Sequence, residues 1–418
     1  MSAPALAAPS AGRMAVPEVP RLLAGGPGRG PGADLPAHRT HWGPLPVVAA
    51  GALVRALEEV ALTGRGGASF PLHRKLATVA TRSRGDAVVV ANGAEGEPGS
   101  RKDATLLALA PHLVLDGVQV AAAATGAASA WLVVERGASV DALHAALAAR
   151  HDPVPVRVHA LPRRYVASEE TAMLRHLAGG PAQPTATRVL PVVSGLGGRP
   201  TLTSNVETLA QLAALAHRGP AWFAQVGEAC EPGTRLVTVS DVRGSLVLEV
   251  ATDAAVGGVL LAADVRPEAV GAVLVGGAMG RWHLPGRVAP QRLRSSTLAV
   301  LPPEHCPVAE TASLVAHLAR GSAGQCGPCR NGLPAIADDL ALLTEGRLDA
   351  AGDERLQARL GLLPGRGACH LPDGTVAMVR SLLDALGDHV GLHRLGRPCA
   401  GAAARRVLPV PAPERSWR

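Results

Sequence analysis

Apolar and polar positions change rhythm three times along the chain. Residues 47–60 alternate at helical spacing and lead into a glycine-rich turn. Residues 87–91 (AVVVA) form a short continuous apolar run, the pattern of a strand buried on both faces of a parallel sheet. A polar loop, 92–103, follows at its carboxyl end. The pattern then predicts a helix over 113–125, a strand over 131–135, a helix over 140–150 and a strand over 154–160. This alternation points to an α/β unit with a parallel sheet and crossover helices. Residues 165–171 open a further helix reaching about Leu177, with Ser168 as N-cap, Thr171 at N3 and Glu169 and Glu170 in the first turn, where the helix dipole favours acids. A proline-rich connection leads to 195–200, and 201–208 enters the next helix. From about Gly233 the apolar runs shorten (235–239, 247–250, 259–262, 272–275) between glycines, a small β-rich module with one helix. After Cys306 the spacing is helical again over 312–320, 334–343 and 374–386. The expected division is 1–45 a disordered Pro/Ala/Arg-rich tail, 46–225 the α/β domain, 226–303 the β-rich module, 304–395 a helical bundle and 396–418 a second disordered tail.

Composition sharpens this picture. A chain of 418 residues is too long for one ordinary domain, and 47% hydrophobic content supports several cores. Aromatics make up 2%, so those cores must be built from Ala, Val and Leu. The net charge of +7 is carried by arginine, without the basic tract and interleaved aromatics of a nucleic-acid binder. The longest apolar run, 117–134, is broken by Gln119 and Thr125-Gly126 and reads as helix then strand, so no membrane span is expected. The first 45 residues lack a signal-peptide core. The expected location is the cytoplasm, or the inner face of the membrane through partners.

Rare residues concentrate in few places. The two lysines are Lys75 and Lys102, the three asparagines Asn92, Asn205 and Asn331, the one tyrosine Tyr165, and the two phenylalanines Phe70 and Phe223. Most fall in short polar motifs. Gly64-Arg65-Gly66-Gly67-Ala68-Ser69-Phe70-Pro71 with Lys75 can present backbone N–H groups and one cation to a phosphate. The loop from Asn92 to Asp103 carries Glu95 and Glu97. Cys326-Gly-Pro-Cys329, with Cys369 forty residues on, has the spacing of a metal or iron–sulfur site, of a redox dithiol, or of buried structural cysteines. Cys230, Cys306 and Cys399 read as ordinary small residues, and most of the fifteen histidines show no pattern.

Five motifs, in this order, resemble those of the flavoprotein (F) component of NADH:quinone oxidoreductase (complex I) and the related diaphorase subunits of NAD-linked hydrogenases and formate dehydrogenases. The family loop G-R-G-G-A-G-F-P plus lysine is similar to 64–75, and N-x-D-E-x-E-P-G-x-x-K-D to 92–103. Y-x-x-G-E-E-T is similar to 165–171, G-x-x-G-x-P-T-x-x-N-N-V-E-T-L to 195–209, and E-S-C-G-x-C-x-P-C-R-x-G to 321–332. The resemblance implies a Rossmann-like FMN-binding domain, a ubiquitin-like β-grasp (SLBB-type) module and a C-terminal helical bundle with a 4Fe–4S cluster. It implies FMN or NADH contacts from Gly64, Arg65, Gly66, Gly67, Phe70, Lys75, Asn92, Glu95, Glu97, Tyr165, Glu169, Glu170, Ser204 and Asn205, and cluster ligation by Cys326, Cys329 and Cys369. The implied activity is an NADH dehydrogenase of diaphorase type. It would pass electrons to a ferredoxin or thioredoxin-like 2Fe–2S partner, within a larger redox complex.

The chain departs from the family at named positions. Ala323 stands where the first cluster cysteine is found, leaving a three-cysteine cluster (3Fe–4S included), no cluster, or a fourth ligand from water, Ser322, His370, Cys306 or Cys399. Ala94 replaces an aspartate, Ser69 a glycine, His73 another glycine, Leu76 a tryptophan and Ser204 an asparagine. These leave three functions open: the diaphorase, with NADH or NADPH; a non-catalytic docking subunit; or an FMN enzyme with another donor.

Overall fold

The computed structural model describes residues 21–23, 34–185 and 189–418. Its first sheet is parallel throughout, in the order β3-β2-β1-β4: β1 (Ala87–Asn92), β2 (Ala127–Glu135), β3 (Val156–Leu161) and β4 (Thr201–Asn205). Helices α1 (Leu35–Trp42), α2 (Ala50–Glu59), α3 (Leu72–Arg82), α4 (Lys102–Leu109), α5 (Pro111–Thr125), α6 (Asp141–Ala148), α7 (Glu170–Leu177) and α8 (Val206–Phe223) accompany it. Strand β1 is the hub. From β1 the chain moves outward through β2 to β3, then returns to add β4 on the opposite side. That reversal makes the carboxyl ends of β1 and β4 a topological switch point, where open α/β sheets leave a crevice for ligands.

Helix α5 is buried on every side except at Ala123 and lies across α8. A Cβ on Gly117 would meet the Leu209 carbonyl oxygen at 2.0 Å, so this crossing requires glycine. Beside it, the Asp116 carboxylate receives His38 Nε2 at 2.9 Å, His217 Nε2 at 2.8 Å and Arg150 Nη2 at 2.6 Å. Burial works against this charge, but the His217 and His38 hydrogen bonds and the Arg150 cation outweigh it and hold the carboxyl below the usual range.

A two-residue hairpin, β5 (Gly227–Glu228) and β6 (Glu231–Pro232), leads to a mixed five-stranded sheet. Its strands are β7 (Thr234–Asp241), β8 (Gly244–Ala251), β9 (Ala272–Val275), β10 (Arg281–His283) and β11 (Thr297–Leu301), in the order β10-β9-β11-β7-β8. Strands β7 and β11 pair in parallel at the centre, with antiparallel pairs outside. Helices α9 (Val256–Ala262) and α10 (Pro285–Val288) belong to this layer; residues 259–262, read from sequence as an apolar run, lie in α9. Five helices follow: α11 (Pro307–Gly321), α12 (Leu333–Thr344), α13 (Ala350–Leu362), α14 (Leu371–Ala385) and α15 (Gly387–Arg394). Leu, Val and Ala dominate the cores, and Trp282 and Phe223 are the largest fully buried side chains. No single described helix is long and apolar enough to cross a membrane. Helices α4 and α5 pass that test only as a pair bent by 96°.

Both ends differ from the expected tails where they are described. Leu22 and Leu23 donate their amides to the Glu249 carboxylate at 2.9–3.1 Å, Arg21 stacks 4.2 Å over Trp222, and residues 35–42 form α1, capped by Asp34. Residues 1–20 and 24–33 lie outside the described residues. At the other end, 396–418 is a packed strap. Leu408 is 1% exposed, the amides of Val407 and Leu408 bind the Glu310 carboxylate, Glu414 pairs with Arg136, and Arg164 stacks 3.9 Å over Trp417. A few apolar side chains and carboxylate-bound amides pin a segment whose composition alone reads as unstructured.

Candidate functional site

The glycine turn is a closed loop. Thr63 and Pro71 form a bridge, the Gly64 amide donates to the Phe70 carbonyl at 2.9 Å, and the apex carries Gly66 and Gly67. Gly67 has φ +101°, and a Cβ there would meet nothing within 4 Å, so the apex backbone faces open space. A Cβ on Gly66 would meet Asn205 Cβ at 3.3 Å, which brings the turn against the end of β4. Ser69 is also in the left-handed region, at φ +48°, a conformation that suits the glycine found there in the resembling motif. Phe70 is 46% exposed.

Helix α3 then carries Lys75 back over the sheet. Its Nζ lies 3.1 Å from both Glu170 Oε1 and the Thr203 carbonyl, while the Thr203 hydroxyl is buried without a hydrogen-bond partner. Asn92 and Asn205 are register partners across β1 and β4. Asn205 Nδ2 donates to the Asn92 carbonyl at 3.1 Å and to Asp103 Oδ2 at 2.7 Å. Its Oδ1 accepts from the Glu207 amide, capping α8, and from Lys102 Nζ. Asn92 Nδ2 donates to the Ser168 carbonyl at 3.0 Å, so the start of α7 joins the same place. Gly64, Gly66, Gly67, Lys75, Asn92, Glu170 and Asn205 thus converge at the switch point.

Other residues take bridging roles. Arg65 is 7% exposed and points away, its guanidinium binding Glu231 Oε1 at 2.5 Å and reaching the Thr234 carbonyl, which ties the turn to the second sheet. Glu95 accepts from the Ser100 hydroxyl in its own loop and from the Ala104 amide in the first turn of α4. Glu97 accepts from the Ala278 and Gly99 amides and from the Tyr165 hydroxyl at 3.3 Å. Burial pushes its carboxyl up to about 7 despite those donors. Glu169, not Ser168, caps α7, accepting from the amides of Thr171 and Ala172. A carboxylate is the stronger acceptor for those amides, and the Ser168 backbone is committed to the preceding turn Tyr165–Ser168. Ser204 precedes Asn205 in β4 and projects to the other face of the strand. Lys102 and Asp103 close the 92–103 motif and Glu207 lies in the 195–209 motif, but neither motif shows that the three meet in a buried triad, with Nζ–O distances of 2.6 and 3.0 Å.

Tyr165 links this cleft to the cysteines, since Gly321, at the end of α11, lies against it. Cys329 sits in a π-helical turn, Pro328–Gly332, a distortion common at functional sites. Burial and the neighbouring Cys326 and Cys369 push its thiol up to about 12, with the Ser322 hydroxyl opposing. Cys369 is raised by burial and by Cys326 and Glu169. Burial also acts to raise Cys326, but hydrogen bonds from the Ala368 and Cys329 backbone outweigh it and bring that thiol down. Three sulfurs that repel one another's ionisation form a donor set that a metal cluster would relieve. Cys306 and Cys399 are not available to complete it. Cys306 is the N-cap of α11 and Ser322 its C-cap, so about 22 Å of helix separates them. Cys399 lies beside Cys306, through His389. The Ser322 hydroxyl lies near Cys329, and His370 directly follows Cys369.

Two described regions of the chain match known families. Residues 57–214 match the Nuo51 FMN-binding domain, and residues 309–393 match the NADH-ubiquinone oxidoreductase-F iron–sulfur binding region; together they span more than half the chain. The chain is 29% identical over 367 residues to the NADH-quinone oxidoreductase F 2 protein of Rhizobium meliloti, covering 79% of this chain and 86% of that protein. It is 28% identical to the NADH-quinone oxidoreductase F protein of Rhodobacter capsulatus, covering 87% and 94%. Among solved structures, an NAD+-reducing NiFe hydrogenase superposes with TM-score 0.75 at 28% identity in the H2-reduced state and 0.76 in the air-oxidised state. This chain spans 62% and 68% of those hydrogenase chains. The parallel sheet, the mixed sheet, the helical cysteine-bearing region and both sequence matches agree: the chain belongs to the flavoprotein (F) family of NADH:quinone oxidoreductase components, with that family's FMN-binding and iron–sulfur regions.

Proposed function

We propose that the chain is an FMN-dependent NADH dehydrogenase subunit of diaphorase type, delivering electrons through an iron–sulfur cluster to a ferredoxin or thioredoxin-like 2Fe–2S partner in a larger redox complex. The observation that carries this reading is the convergence of four distant loops (64–75, 92–103, 165–171 and 195–209) on the ends of β1 and β4, with three cysteines just beyond Tyr165. When bound, FMN supplies the hydride-accepting ring and the conversion of a two-electron donor into single-electron transfers. The residues supply the rest. The open apex at Gly67 leaves backbone amides for a phosphate, Lys75 offsets its charge, and the orphaned Thr203 hydroxyl offers a further donor. The exposed ring of Phe70 offers a face for a base. Glu170, paired with Lys75, and Asn92 stand where a sugar or carboxamide would need acceptors and donors. Cys326, Cys329 and Cys369 would hold the cluster, with Ser322, His370 or water at the fourth corner. In the mixed sheet, the first and last strands pair centrally and a helix follows the first hairpin, which supports the β-grasp reading.

The test is anaerobic reconstitution of the full chain with FMN, iron and sulfide. Flavin should be retained and bleached by NADH. Lys75→Met should weaken FMN binding by roughly ten- to a hundredfold, the loss of one charge-assisted phosphate contact. No retained flavin overturns the proposal. A second reading, a non-catalytic docking subunit, is favoured by Ala323 at a ligand position; flavin-dependent turnover with an artificial acceptor excludes it.

A further inference from the structure

At the end of α11 remote from Cys326, four ligand-type side chains meet that no motif connects. Sγ of Cys306 and Cys399 and ring nitrogens of His389 and His393 all lie within 4.8 Å of one another. Cys306 Sγ is 3.5 Å from His389 Nε2 and 3.4 Å from His393 Nε2, and Cys399 Sγ is 3.5 Å from His389 Nε2. We propose that these four residues form a tetrahedral zinc site that clips the C-terminal strap to the start of the helical region.

Three independent features support it. First, with Zn–S near 2.3 Å and Zn–N near 2.0–2.1 Å, a regular tetrahedron has a sulfur–nitrogen edge of about 3.6 Å. The three observed edges are 3.4–3.5 Å. Second, the tautomer of His393 is set for ligation. Its Nδ1 lies 3.1 and 3.2 Å from the Leu343 and Thr344 carbonyls, acceptors in the last turn of α12. Nδ1 must therefore carry the proton, which leaves the Nε2 lone pair facing Cys306, as in metal sites where a carbonyl orients the ligating imidazole. Third, the Ala309 amide donates to Cys306 Sγ at 3.4 Å from the first turn of α11, which fixes the sulfur beside the two imidazoles. His389 and His393 are one helical turn apart on α15 and stack with centroids 5.4 Å apart. A two-sulfur, two-nitrogen set suits zinc or iron–sulfur, and edges of 3.4–3.5 Å are those of one tetrahedral ion, which points to zinc.

The site joins three segments. Gly401 presses so closely on the segment before Cys306 that a Cβ there would meet the Glu304 carbonyl at 2.1 Å. From Cys399 the strap continues to Leu408 on Glu310 and to Glu414 on Arg136 of the first unit. A metal here would fix the register of that strap.

The experiment is zinc and iron content of the purified full chain, with variants that separate the two thiol groups. One zinc per chain is expected in the wild type. It should be retained in Cys329→Ser, which loses iron, and lost in Cys399→Ser and His389→Gln. Cobalt(II) titrated into zinc-depleted wild type should give the visible bands of a tetrahedral thiolate site, a readout that does not depend on a variant folding. Wild type without zinc and without those cobalt bands overturns the proposal, as does zinc that disappears together with iron in Cys329→Ser. Neither result depends on flavin binding, so this inference fails or stands apart from the proposed activity.

Discussion

Lys102→Met tests whether one buried cation holds the switch point together. Lys102 is 5% exposed, with Nζ 2.6 Å from Asp103 Oδ1, 3.0 Å from Glu207 Oε2 and 3.0 Å from Asn205 Oδ1. Methionine keeps most of the stem and removes the charge, leaving two buried carboxylates without the cation they share. Removing one partner of a buried pair costs roughly 3–5 kcal/mol. At about 2–4 °C per kcal/mol for a unit of this size, the melting temperature should fall roughly 6–20 °C. The loss should carry a pH signature. Burial already pushes the Asp103 carboxyl up to about 7 against the pull of Lys102, with Glu95 adding to the rise. Without Lys102 it rises further. A carboxyl raised in the folded state adds stability below its unfolded value and loses it as pH climbs through the folded one. The variant's deficit should therefore be smaller near about pH 5 than near about pH 8. Scanning calorimetry of the full chain at both pH values reads this. Lys102→Met with Glu207→Gln should recover part of the loss, because one stranded charge is gone. A fall below about 1 kcal/mol, or a deficit that grows on acidification, would refute the electrostatic account.

Ser69→Gly should stabilise the chain by about 1 kcal/mol, since Ser69 holds φ +48°; a lower melting temperature would show the turn is not strained there. Gly117→Ala should cost more than about 3 kcal/mol, because the added methyl meets the Leu209 carbonyl at 2.0 Å, and urea denaturation measures it. Glu97, Asp103 and Glu135 all have carboxyls pushed up to about 7, primarily by burial. The wild type should lose stability as pH rises through about 7. Glu97→Gln should flatten part of that slope in melting temperature against pH, and an unchanged slope would show that Glu97 does not contribute.

How much of this was legible in the chain depends on range. The AVVVA run, the helix before it and the alternation after it follow from local spacing, so the parallel sheet was visible. So were the loops at its edge, because lysine, asparagine and tyrosine are rare enough here to mark them. Caps and tails were less visible. Glu169 displaced Ser168 as N-cap because the serine is consumed by the preceding turn, a choice set by two residues of geometry that composition does not report. The strap at 396–418 is held by Glu310 and Arg136, which lie about a hundred and nearly three hundred residues away in sequence.

The cysteines show the same limit most sharply. Cys326 and Cys329 announce themselves by spacing. Cys306 stands 83 residues from His389 and has no companion nearby in sequence, so it reads as a small buried residue. Helix α11 resolves the ambiguity. It places Cys306 at its N-cap and the other group beyond its C-cap, with about 22 Å of helix between, so Cys306 and Cys399 cannot be pooled with Cys326, Cys329 and Cys369. In the cluster we propose, the position of Ala323 must then be met locally, by Ser322, His370 or water, or the fourth iron forgone. The sulfur that spacing leaves spare at Cys306 already faces its own histidines, at the anchored end of the same helix.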